Sequence, residues 1–241
     1  MKGNVTTGQT SKPRTVIEVL GLTLATFIVA IIAGIVFIVP MVALGYDIQT
    51  TYVLVGATAA SQIAMFGLGY AYLRYRDLTV SIMTPNRFEV GYVIGGVLAA
   101  LITAVALSAL LVTFDLLPGS VISETATTNP TYLLGLAALS VLIVAPVEEF
   151  VFRGVIQRRL RNQFGPVPAI IGASLLFGSM HLVNYTGNPV PIIAGALLIS
   201  SIGAIFGAVY ERTGNLFVPV LVHAIYNVIL LVTSYLATTS L

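Results

Sequence analysis

The sequence has no cysteine and no tryptophan, only two histidines, and charged residues make up just 8% of it. Without cysteine there can be no disulfide, no thiolate metal centre and no cysteine nucleophile. Both lysines, Lys2 and Lys12, sit near the start of the chain, which rules out a Ser–Lys dyad further along. The three aspartates, Asp47, Asp77 and Asp115, fall between apolar runs, so a paired-aspartate intramembrane site is excluded. There is no His-Glu-x-x-His zinc motif and no basic patch suited to nucleic acid, and the net charge of +2 says little about partners. A soluble domain carries about 25% charged residues, so this chain has too few to coat a water-facing surface.

What the chain does have is apolar length. Of its 241 residues 57% are hydrophobic, and the charges are segregated. Uncharged stretches run Val19–Tyr46, Ile48–Leu73, Val90–Phe114, Thr125–Val147, Asn162–Tyr210 and Thr213–Leu241. One span needs roughly 20 apolar residues. The fifth stretch is broken by the turn-rich segment Asn184–Pro191 and reads as two spans. The expected fold is therefore an all-α membrane protein, a polytopic bundle of about seven transmembrane helices with a polar site inside the membrane. A β-barrel is the other spanning solution, but long unalternating runs argue against it. The expected division is a cytoplasmic tail over residues 1–15 and a single transmembrane domain over 16–241. The first apolar run is too long for a signal peptide's core and reads as a retained anchor.

All eleven Lys and Arg residues fall in the N-terminal tail or after the second, fourth and sixth spans. The segments near Asp47, Asp115–Pro130 and Asn184–Pro191, and the C-terminus, have none. The positive-inside rule then places the N-terminus in the cytoplasm and the C-terminus outside, as seven spans require. A multi-pass protein of a prokaryotic cell membrane is the expected localisation.

Against this background Glu148, Glu149, Arg153, His181, His223 and Asn227 are out of place. Two glutamates near mid-span cost about 6 kcal/mol together on insertion scales, so they must face protein or water. Counting inward from Arg158, around the turn at Phe164-Gly165 and inward from Arg212 brings Glu148, His181 and His223 to a similar depth of about 15 Å. Residues four apart share a helix face, so Glu149 can pair with Arg153, Phe177 lies under His181, and His223 shares its face with Asn227. Pro146 should kink the fourth span.

A glutamate, two histidines and an amide suit the activation of water against a carbonyl. Glu148 is the candidate base, His181 could share its proton, and His223 and Asn227 could donate to a developing oxyanion. Glu148, His181 and His223 could equally hold a divalent metal, zinc before others, with an open water position. Gly172-Ala-Ser174 gives a weaker rhomboid-like serine alternative with His223 as base. The same polar cluster could instead serve an ion or proton carrier, although carriers often carry such features in both halves. A non-catalytic immunity or scaffold protein is a further alternative.

Glu148-Glu-Phe-Val-Phe-Arg153, Phe177-Gly-Ser-Met-His181 and His223-Ala-Ile-Tyr-Asn227 match the patterns EExxxR, FxxxH and HxxxN. In that order they resemble the CPBP (CAAX protease and bacteriocin-processing) intramembrane proteases, the family of the CAAX prenyl endopeptidase. The likeness covers roughly 131–235, the expected catalytic core. It implies an intramembrane endopeptidase acting on a membrane-associated protein or peptide, prenylated or carrying a leader, and the shared depth of Glu148, His181 and His223 sets the expected cleavage near the cytoplasmic side. It further implies Glu148 as water activator with His181, His223 and Asn227 as oxyanion stabilisers, and Glu149 with Arg153 in support. The family is commonly labelled a metalloprotease, but a metal-free glutamate mechanism is favoured here. CAAX-trimming members have eight spans, one more than is counted in this chain.

Overall fold

The computed structural model describes residues 11–240. Within them seven helices are long and apolar enough to cross a membrane, and the protein is an all-α polytopic bundle as expected. Span 1 is Lys12–Ala43, span 2 Thr51–Tyr75, span 3 Arg87–Thr113, span 4 Thr131–Phe164, span 5 Pro166–Asn184, span 6 Pro189–Thr213 and span 7 Phe217–Thr239. Much of the expected tail, residues 1–10, lies outside the described residues, while Lys12 to Thr15 are already helical.

One boundary differs from the charge-based reading, because a charge that finds partners does not end a helix. Span 1 starts before Glu18, whose carboxylate takes Arg159 at 2.9 Å, Arg14 at 3.3 Å and also Arg76. Span 4 continues through Glu148–Arg161 and ends at Phe164, at the expected turn, where Gly165 has φ 83°. The loops at this end are tied together as well. Arg161 bridges Glu211 at 2.6 Å, and Asn215 is bonded in both directions to the Met83 backbone at 2.9 and 3.0 Å. The opposite end holds the expected outer segment 115–130, which has structure of its own. Strand β1 (Gly119–Ser120) pairs antiparallel with β2 (Tyr185–Thr186), and a short helix, Val121–Thr128, follows β1.

Span 4 is the core of the bundle, and it is not a plain α-helix. Its wider π-helical stretches are Ser140–Val144 and Phe150–Gln157, on either side of the α-helical Ala145–Glu149. Pro146 has no N–H to offer, and its ring crowds the preceding turn. The expected disturbance at Pro146 takes the form of the wide turn just before it, and such turns favour functional sites.

Small residues let spans 5 and 6 close on one another. A Cβ on Gly178 would meet Ser200 Oγ at 2.0 Å and the Ala196 carbonyl at 2.4 Å. Gly178→Ala is therefore expected to destabilise the bundle by about 1–3 kcal/mol, read as a lowered Tm in detergent. An unchanged Tm would show that this helix pair is not a tight contact.

Candidate active site

Glu148, His181, His223 and Asn227 line one cavity of about 510 Å³. Three elements supply them: the α-helical insert of span 4, the C-terminal cap of the helix Pro166–Met180, and span 7, which gives residues from two successive turns. His181 thus stands where the helix of span 5 gives way to a short 3-10 turn, rather than inside the helix as depth counting assumed. The expected Phe177–His181 stacking is present, with ring centroids 4.7 Å apart, and the edge of Phe177 also meets His223 at 5.9 Å.

The two glutamates play different parts. Glu149 and Arg153 are fully buried and lie 3.3 Å apart, the expected pair, at ion-pair distance though without hydrogen-bond alignment. Glu149 has a second partner that four-residue spacing could not reveal: its Oε1 lies 2.9 Å from His223 Nδ1. Arg153 crosses to span 6, where its Nη2 donates to the Gly203 carbonyl at 2.7 Å. One π-turn on, Gln157 Nε2 donates to the Gly207 carbonyl at 3.0 Å. Glycine is needed at both receivers, since a Cβ would lie 2.9 Å from the Phe177 ring at 203 and 2.7 Å from Gln157 Oε1 at 207. Arg153 also lies 4.7 Å from the Phe177 ring centroid, so the guanidinium supports the aromatic floor under both histidines.

Glu148, by contrast, keeps 12% of its side chain exposed to the cavity. Its contacts come from other spans. Gln62 Nε2, from span 2, donates to its Oε1 at 2.9 Å, and His223 Nε2 lies 3.9 Å from its Oε2. Gln62 was missed in the sequence because a single amide in an apolar helix has no motif around it. Ser140 was missed likewise: its Oγ takes a hydrogen bond from Asn227 Nδ2 at 2.9 Å.

These partners fix which ring nitrogens face the cavity. His181 Nδ1 lies 2.9 Å from the Phe177 carbonyl, which can only accept, so Nδ1 carries the proton and Nε2 is left to the cavity. His223 Nδ1 donates to Glu149 in the same way, leaving Nε2 towards Glu148. Ser174, the rhomboid-like alternative, is buried in span 5 and is not among the cavity's lining residues. As for a metal, among the described residues no three His, Asp or Glu side chains converge to hold an ion. The set as placed does not fit a His–His–Glu centre.

From the glutamate level the cavity extends towards the start of span 4 and the segments that hold β1 and β2, reaching Tyr132, Val121 and Asn184. It occupies the half of the bundle opposite the arginine-bearing loops. Depth counts from Arg158 and Arg212 placed Glu148, His181 and His223 at one level, and all three do line one cavity, but the counts could not tell on which side of that level space would open.

Residues 130–229 match the family model described as type II CAAX prenyl endopeptidase, Rce1-like. The chain is also 33% identical over 88 residues to the uncharacterized protein YpbD of Bacillus subtilis (strain 168), across 36% of this chain and 40% of that relative. It thus spans less than half the length of the curated relative it matches. No solved structure matches it. Spans 1 to 3 lie outside the matched residues, whereas all three motifs lie inside them. Over residues 130–229 this chain is similar to the Rce1-like type II CAAX prenyl endopeptidases, and the resemblance read from its three motifs is borne out.

Proposed function

We propose that this protein is an intramembrane endopeptidase that hydrolyses a peptide bond of a membrane-associated polypeptide with water activated by Glu148. The observation that carries the reading is the state of that carboxylate. It lies at mid-span in a cavity, with an amide donor on one oxygen and an imidazole near the other. An intramembrane carboxylate is expensive and marks function by default.

Glu148 takes a proton from water as the water oxygen adds to the carbonyl carbon. The second N–H of Asn227, whose first is given to Ser140, is free to donate to the oxyanion. His223 Nε2 must first receive a proton before it can donate one, so it acts as a relay beside Glu148 as well as a later donor. Collapse of the tetrahedral species breaks the C–N bond, and the proton held by Glu148 and the histidines passes to the leaving nitrogen. Gln62 holds Glu148 in place, which gives span 2 a part in the site. No step runs through a metal, because the donors do not converge on one point.

Glu148→Ala, His181→Ala and His223→Ala are each expected to abolish cleavage of a processed substrate while the protein still inserts. Full activity in all three would end the peptidase reading. Cleavage in detergent is expected to proceed unchanged with a chelator present. Loss of activity on chelation, restored by zinc, would assign the metal-dependent mechanism instead. Gln62→Leu is expected to lower kcat about 10-fold, less than the loss of the positioned base itself. An unchanged kcat would reduce Gln62 to a packing residue.

A further inference from the structure

We infer that the cavity takes an extended, uncharged peptide segment from the face opposite the arginines, which the positive-inside rule makes the non-cytoplasmic face. Its substrate is then a membrane-anchored or exported polypeptide cut on that side of the bilayer, rather than a C-terminal tail presented in the cytoplasm. The inference rests on the peptidase reading of the site and adds its side and substrate class.

The cavity is closed towards the arginines. Its floor is formed by Phe152, Phe177 and Phe206, exposed by 1, 2 and 1%. One turn further in, Arg153, Val155, Ile156 and Gln157 are all completely buried. Nothing as large as a peptide passes through that layer, which is also tied to span 6 by the Arg153 and Gln157 bonds.

Towards the other end the lining opens. Val121 and Val183, beside the two short strands, are 42 and 57% exposed while still lining the cavity. Ile31 of span 1 and Leu230 of span 7 line it too and are 45 and 37% exposed. Span 1 has no buried residue beyond Thr26, and Ala30 and Ile31 of its second half form part of this side of the wall. The entrance therefore has an outer part and a lateral part, both alkyl-lined, as suits a segment leaving the bilayer.

Charge gives the same side. Lys12, Arg14, Arg74, Arg76, Arg87, Arg158, Arg159, Arg161 and Arg212 all belong to the closed end, whereas the segments of the open end carry Asp47, Asp115 and Glu124 and no cation. Nor, among the described residues, does any Lys or Arg line the cavity, so a free C-terminal carboxylate inside it would have no countercharge there. An internal, uncharged stretch of chain meets no such penalty.

The absence of cysteine makes the test clean. Ile122→Cys and Thr58→Cys place a thiol on the cavity wall outside the proposed machinery, Thr127→Cys marks the open end and Thr84→Cys the arginine end. Each full-length variant is treated with a charged, membrane-impermeant methanethiosulfonate, in intact cells and in inverted vesicles. The readout is loss of a later maleimide gel shift. Ile122→Cys, Thr58→Cys and Thr127→Cys are expected to lose the shift in intact cells, and Thr84→Cys only in inverted vesicles. The inference is overturned if both cavity cysteines react on the same side as Thr84→Cys, if they react from neither side, or if Thr84→Cys reacts in intact cells. No cleavage is measured, so the result stands apart from success or failure of the peptidase reading.

Discussion

Glu148→Gln is expected to remove turnover and leave the fold standing. The amide keeps the size of the carboxylate and can still accept from Gln62, now at 2.9 Å, but it cannot take a proton from water. A positioned general base is worth about 10²–10⁴-fold in rate, so cleavage should fall by at least that range. The Tm should hold or rise, because a charge that costs about 2.5–3.5 kcal/mol at mid-span is gone. Cleavage rate and thermal unfolding in detergent, measured on the same preparation, check both halves. A variant that melts early and still cleaves would make Glu148 a structural residue.

Glu149→Gln is expected to do the reverse to stability and to spare activity no better. Glu149 is wholly buried, and its two oxygens face Arg153 and His223. Neutralising it strands a buried guanidinium, at about 3–5 kcal/mol for breaking a buried pair. It also removes the carboxylate that holds the His223 proton on Nδ1, so the ring loses its set tautomer along with its anchor. From four-residue spacing alone, Glu149→Gln would mainly loosen the fold. With the His223 contact added, both the Tm and the rate fall. A variant that melts with the wild type and cleaves normally would mean that Arg153 is held well enough by the Gly203 carbonyl and the aromatic rings.

How far the sequence could carry these expectations depended on the range of each interaction. The seven spans were legible because segregated charge and apolar length act over some twenty residues at once. The Glu149–Arg153 pair and the Phe177–His181 contact were legible because they lie four residues apart. Gln62, Ser140 and the Glu149–His223 bond were not, because each joins positions more than 70 residues apart and has no local pattern. The start of span 1 was misplaced because ion pairs let Glu18 stay in the helix, whereas the turn at Phe164-Gly165 was legible and ends span 4. The short strands β1 and β2 escaped notice because two residues cannot show alternation. The side on which the cavity opens depends on which helices lean apart, and depth counts along single helices are blind to that.

The wide turn at Ser140–Val144 amounts to one residue more than a plain α-helix would use over the same length. Losing a single residue there would let the helix close up without disturbing Glu148 or anything after it. Everything before the deletion would rotate by about 100°, carrying Tyr132 and Leu136 off the cavity wall and Ser140 away from Asn227. The stretch is thus a natural place for insertion and deletion to act as a change of lock with the same bolt. Relatives that differ by one residue between the outer segment and the paired glutamates should share the chemistry of this site and differ in what they admit to it.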